Sequence, residues 1–391
     1  MKKSLLIKDV LHRDCKCNIL IEDCRFKAIG VPADTEAEQV INADGKAILP
    51  AFYNTHTHAA MTLLRGYADD MPLQKWLNEY IWPFEAKMTA DDMVRGTEMA
   101  VDEMIKTGTV GYYDMYFNSE KTACAARKAG MRAIVSECFF QHTVGNVPAF
   151  AEITRQWNSE SDGMVRLAIA PHAIYTNTTE SLKTIVKTAR DNGALINIHL
   201  SETKAEVDNC IRQYGMTPVR YLDSIGLLGP DVMAAHCVWV DREEWDILAE
   251  RGVTVSHNPC SNMKLGSGIF PYRDAIASGV RITLGTDGCS SNNNLDMREE
   301  MKFAALLSKV NGDVECLPAE EIMRWATVNG AEAFGLDAGI IAEGKLADCL
   351  LVDLNDHRMK PCHNLVSNWV YAASSDCITT VICNGSILFS K

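Results

Sequence analysis

Two histidines one residue apart, His56 and His58 in Asn54-Thr55-His56-Thr57-His58, directly follow the apolar run Ala47-Ile48-Leu49-Pro50-Ala51-Phe52. Side chains i and i+2 share one face of a strand, so a strand ending here would send two imidazoles the same way, half of a metal site. Alone, such a pair reads equally as two satisfied histidines. Further along, His199 and Glu202 stand in His199-Leu200-Ser201-Glu202, His236 precedes Cys237, and Asp287 lies in Gly285-Thr286-Asp287-Gly288. Each follows another short apolar run, as do His172 in Pro171-His172 and His257 in His257-Asn258-Pro259. Three imidazoles and one carboxylate, from His56, His58, His199 and Asp287, suit a single divalent ion and leave a position for water. Such an ion brings the pKa of water from about 16 towards 7, which is hydrolytic chemistry near neutral pH. Glu202 is placed to take a proton and pass it to a substrate. His236 offers a second relay or an orienting hydrogen bond, and Asp287 can share that work through its other oxygen.

The elements that must position these residues repeat along the chain. Strand-like apolar runs occupy 49–54, 109–113, 132–136, 165–170, 194–198, 232–235, 253–256 and 281–284. Between them lie helix-like stretches such as 90–107, 179–192 and 241–251, followed or closed by Gly108, Gly193 and Gly252. Eight such units predict a (β/α)8 TIM barrel, an α/β fold whose chemistry sits at the C-terminal ends of its strands. Those ends are where the histidines, Glu202 and Asp287 fall. Short alternating segments at both ends of the chain, such as Cys17-Asn18-Ile19-Leu20-Ile21 and Thr379-Thr380-Val381-Ile382-Cys383, predict one small β-sandwich domain built from both termini. The expected division is 1–50 with 340–391 for that domain and 51–339 for the barrel.

Composition narrows the partners. The 391 residues are 47% hydrophobic and 23% charged, ordinary for a globular chain. A net charge of -13 opposes binding to nucleic acid or an anionic membrane. The opening Met1-Lys2-Lys3-Ser4-Leu5-Leu6-Ile7 has too short an apolar run for a secretory signal, which points to a cytoplasmic protein acting on a small-molecule substrate. Fourteen cysteines scattered through so large a chain read as reduced thiols, and Cys15-x-Cys17 lacks a second pair at zinc spacing. The chain has no His-Glu-x-x-His, no Gly-x-Ser-x-Gly, no phosphate-binding Gly-x-x-x-x-Gly-Lys followed by Ser or Thr and no Pro-Cys-x-x-Cys. Gly266-Ser267-Gly268 reads as a loop.

Four stretches together, residues 54–66, 199–203, 257–265 and 285–293, resemble the amidohydrolase superfamily. Within it they are similar to the methylthioadenosine/S-adenosylhomocysteine deaminase branch, which has chlorohydrolase-like and triazine-hydrolase-like members. The resemblance implies one metal ion, zinc first with iron or manganese as alternatives, and no lysine stands after strand four to bridge a second. It implies that Glu85 and His172, with Trp82 beside them, contact the substrate, Glu85 holding ribose hydroxyls and His172 reaching the ring or sugar. It implies a dimer or tetramer, and deamination of an adenine nucleoside with release of ammonia. Arginines that such deaminases place after strand three are missing from Ser136-Glu137-Cys138-Phe139-Phe140-Gln141-His142. A guanine-, pterin- or triazine-like ring, dechlorination, or a non-catalytic metal-binding barrel are the alternatives.

Overall fold

The computed structural model describes residues 3–310 and 314–391. Two sheets organise it. One is the barrel, eight parallel strands in sequential order: β6 (Phe52–Thr57), β7 (Thr109–Tyr116), β8 (Arg132–Phe139), β9 (Val165–Pro171), β10 (Ile196–Leu200), β11 (Val232–His236), β12 (Thr254–His257) and β13 (Arg281–Leu284). Most of their residues are buried, as expected of strands covered on both faces. The ring is closed between its last and first strands by the amide of Asp287, which donates to the carbonyl of His56 at 2.9 Å.

The second sheet draws on both termini: β1 (Ser4–His12), β2 (Cys15–Glu22), β3 (Arg25–Ile29), β4 (Gln39–Asn42) and β5 (Lys46–Pro50) are joined by β14 (Cys349–Asp353), β15 (Ile378–Cys383) and β16 (Ser386–Ser390). Phe26 on one flank and Ile382 on the other share one core with Ile48 and Leu351, so the sheet wraps around that core. Alternate residues Leu350, Val352 and Val381 face the other way and join the barrel core.

The apolar run expected as one strand over 49–54 is divided between these sheets. Residues up to Pro50 pair antiparallel with β14, and β6 starts at Phe52 with its amide donating to the carbonyl of Gly108 at 3.0 Å. Continuous apolarity hides a change of sheet when both destinations are buried. Beneath this crossing a buried polar lock fastens the two sheets. Asp348 accepts from Arg132 Nε at 2.9 Å, from the Tyr53 hydroxyl at 2.5 Å and from the Asn384 amide at 2.5 Å.

The helix Ala90–Lys106 begins with a reciprocal Thr89/Asp92 cap, and Thr179–Asp191 and Arg242–Glu250 begin likewise. The first β–α connection is long. Its helical pieces, among them Leu73–Trp76 and Trp82–Glu85, lie across the barrel mouth and share a small core containing Met61, Leu64 and Trp76. None of the described cysteines is in a disulfide. Among the described residues, no helix is long and apolar enough to cross a membrane.

Candidate metal centre and active site

His56 lies inside β6 and His58 just past its end, both aimed at the barrel axis as the i, i+2 spacing requires. His199 on β10 and Asp287 after β13 meet them there. The Nε2 atoms of His58 and His199 face each other at 3.3 Å, and Asp287 Oδ1 stands 3.1 Å from His58 Nε2 and 3.5 Å from His56 Nε2.

The outer nitrogens of two of these rings decide what the inner ones carry. His58 Nδ1 faces the Met115 carbonyl at 2.5 Å and His199 Nδ1 faces the His172 carbonyl at 3.0 Å. A carbonyl only accepts, so both Nδ1 atoms hold the hydrogen and both neutral rings present a lone pair inward. Two lone pairs 3.3 Å apart repel unless a cation lies between them. Both nitrogens of fully buried His56 also lack a hydrogen-bond partner. Ligand atoms of His56, His58 and His199 form one compact group, and those of His56, His236 and Asp287 another. This donor set fits a divalent metal ion, with the outer ring nitrogens anchored as metal-binding histidines require.

Charge in the cluster agrees. Burial holds His56 down at about 4 and His199 well below the usual histidine range, the neutral state a ligand needs. Burial also opposes charge on His58, but the Asp287 carboxylate more than offsets it and pushes that ring up to about 9.

Backbone strain marks the same loops. Ser201, His236, Cys237 and Asp287 all adopt left-handed φ angles, between 49° and 76°. For residues with a Cβ this costs of order 1–3 kcal/mol each and persists only where surroundings enforce it. At the end of β13, a Cβ on Gly285 would stand 2.6 Å from Ser256 Oγ and 2.8 Å from the His56 amide, so only glycine lets the strand pass.

Around the cluster, Glu202 is buried, with Oε1 accepting from Ser267 Oγ at 3.0 Å and Oε2 lying 3.9 Å from His236 Nε2. Burial raises its pKa and so favours the protonated carboxyl. His236 Nδ1 is 2.9 Å from Asn262 Oδ1, and Asp287 accepts from Ser261 Oγ at 2.6 Å and from the Gly288 amide at 2.9 Å. Ser267 belongs to the Gly266-Ser267-Gly268 stretch read above as a plain loop.

These residues form the floor of a cavity that is open on one side. Glu85, Trp82 and His172 all line it. Glu85 accepts from the Tyr116 hydroxyl at 2.7 Å, and burial pushes its pKa up to about 7. His172 stacks on Phe140 with ring centres 4.9 Å apart, and Phe140 stacks in turn on Phe117. Sequence reasoning did not find Tyr116, Phe117, Phe140 or Ser267. Glu137, in the stretch without arginines, does not line the cavity. It accepts from the Ser119 amide at 2.9 Å and so caps the helix Ser119–Ala129. No lysine or arginine lines the cavity among the described residues.

A profile of the amidohydrolase family matches residues 47–388. The chain belongs to the amidohydrolase family. It is 45% identical to a 5'-deoxyadenosine deaminase of Methanothermobacter thermautotrophicus over 95% of this chain and 88% of that protein. It is also 45% identical to a 5-methylthioadenosine/S-adenosylhomocysteine deaminase of Dictyoglomus thermophilum, over 90% of this chain and 84% of that one. Among solved structures, an adenosine deaminase from Xanthomonas campestris with bound zinc superposes with a TM-score of 0.91 at 32% identity, covering 99% of this chain and 92% of the other. Amidohydrolases are metal-dependent, in keeping with the donor set at the barrel mouth.

Proposed function

We propose that this amidohydrolase is a zinc-dependent deaminase of adenine nucleosides whose 5' end is small and uncharged. The observation that carries the reading is the buried Glu202 carboxyl set beside a compact group of three imidazoles and Asp287. The names of the relatives from Methanothermobacter thermautotrophicus and Dictyoglomus thermophilum and of the solved Xanthomonas campestris enzyme support it. A divalent ion held by His56, His58, His199 and Asp287 supplies Lewis acidity, lowering the pKa of water towards neutrality.

The chain's own groups handle the protons. Burial raises the pKa of Glu202 and Ser267 orients it, so its carboxyl can carry a proton to the ring nitrogen next to the amine-bearing carbon. His236, fixed through Nδ1 by Asn262, and Asp287, fixed by Ser261 and Gly288, orient the attacking water and receive its proton. Water oxygen bonds to the ring carbon, the carbon–nitrogen bond breaks with the proton returned to the amine, and ammonia leaves behind a carbonyl. The Glu85–Tyr116 pair offers an acceptor for sugar hydroxyls, and the Phe117–Phe140–His172 stack gives the far side of the cavity an aromatic wall.

That wall, with no lysine or arginine in the lining, sets the preference among substrates. A carboxylate brought there would lose its hydration without a partner, at a cost of several kcal/mol. Measured by ammonia release, kcat/KM for 5'-deoxyadenosine and methylthioadenosine is expected to exceed that for S-adenosylhomocysteine by at least about tenfold. Equal or better use of S-adenosylhomocysteine would overturn the preference, and silence on all three nucleosides with turnover of guanine or a triazine would overturn the reading.

Elemental analysis of protein purified without chelator is expected to find one divalent ion per chain, zinc being the assignment made here. Asp287→Asn removes the only anionic ligand and is expected to lower both metal retention and ammonia release. Protein that never retains a divalent ion would favour a non-catalytic barrel.

A further inference from the structure

Glu206 stands four residues past Glu202, is 6% exposed and does not line the cavity. Its Oε1 accepts from the Ser201 amide and its Oε2 from the Glu202 amide, both at 2.9 Å. Sequence position alone would make it an ordinary helix-capping residue. Thr203 is the N-cap of the helix Lys204–Tyr214 and accepts from the Glu206 amide at 3.2 Å, so Glu206 is the third residue of the helix. In a capping box the residue at that position reaches back to the N-cap amide. Glu206 reaches past it, to the two residues before the cap.

The turn it grips is the strained one. Ser201 has φ of +49°, and its carbonyl accepts from the Trp239 amide at 2.9 Å. The turn is therefore tied on its carbonyl side to the loop after β11 and on its amide side to one carboxylate. With both oxygens accepting, the pair of buried amides is satisfied only by an acceptor on each side, which a glutamine cannot supply. From this turn the Glu202 side chain leaves for Ser267 and His236.

We propose that Glu206 is a positioning residue that holds the Ser201-Glu202 turn in its left-handed conformation and thereby aims the Glu202 carboxyl at the substrate. This rests on the reading of Glu202 as the proton donor. A displacement of about 1 Å at a catalytic group can cost on the order of a hundredfold in rate.

The test is a double-mutant cycle on the full-length, zinc-loaded protein. Glu206→Gln is expected to lower kcat about 10–100-fold, with KM within threefold of wild type and one metal retained per chain. Combined with Glu202→Gln it is expected to cost nothing further, because the group it aims is already gone. Thr203→Ala, which weakens the start of the same helix but leaves the clamp, is expected to lower Tm and keep kcat. Should Glu206→Gln fail to fold, Glu206→Asp, too short to reach both amides, carries the same readouts. Wild-type kcat in the folded Glu206 variant, or a full further loss in the Glu202→Gln background, would overturn the inference while leaving the role of Glu202 intact. Near-wild-type turnover of Glu202→Gln alone would instead overturn the reading beneath it.

Discussion

Glu202→Gln is expected to lower the rate of ammonia release by about 10²–10⁴-fold, the usual contribution of a positioned general acid–base group. That corresponds to about 3–5 kcal/mol of transition-state stabilisation. The amide has nearly the shape of the protonated carboxyl and can keep the hydrogen bond from Ser267 Oγ. It cannot give up a proton to a ring nitrogen. The loss should therefore appear in kcat, with metal content and KM close to wild type. Steady-state kinetics on the metal-loaded variant measures this, and turnover within a few fold of wild type would sink the proposed mechanism.

Asp348→Ala is expected to have the largest effect on stability, about 3–5 kcal/mol. Arg132 and Asp348 have side chains only 4% and 0% exposed, and the carboxylate serves the guanidinium, the Tyr53 hydroxyl and the Asn384 amide together. Removing it leaves a buried cation with no counter-charge. The melting temperature should fall by about 4–6 °C. Replacing both partners by apolar residues, Arg132→Met with Asp348→Leu, should recover much of that loss, because the stranded charge disappears with its partner. Thermal unfolding of the single and double variants decides this, and a single variant as stable as wild type would show that the lock contributes little. Catalysis by the folded protein should be spared, since Arg132 opens β8 at the opposite end of the barrel from the metal centre.

The candidate metal centre was legible in the sequence because parallel strands buried on both faces read as continuous apolar runs, so the residues at the ends of those runs could be named. His56, His58, His199, Glu202, His236 and Asp287 all followed from that rule, and the structure brings them together. Where an apolar run crosses between two buried sheets, as at Pro50, the run alone drew 49–54 as a single strand. Partners set by the path of the chain were out of reach: Ser267 meets Glu202 across 65 residues, and nothing about Gly266-Ser267-Gly268 distinguishes it from other polar loops. Glu137 shows the converse. It lies inside β8, where alternation sets Cys138 on the cavity and Glu137 against the Ser119 amide. A Ser-Glu-Thr-x-x-Glu pattern was visible, yet only the turn geometry shows that its second glutamate reaches beyond the cap.

The lock between the sheets also sets a schedule for synthesis. Arg132 precedes Asp348 by 216 residues, and β5 is made long before its partner β14. At roughly 5–20 residues per second, the arginine waits about 10–40 s for its counter-charge. Through that interval the nascent barrel carries a cation with no place to be buried, and β5 keeps an open edge towards the missing β14. Strands β14 to β16 hold none of the candidate metal ligands, yet it is β14 that covers the edge of β5 and completes the second sheet.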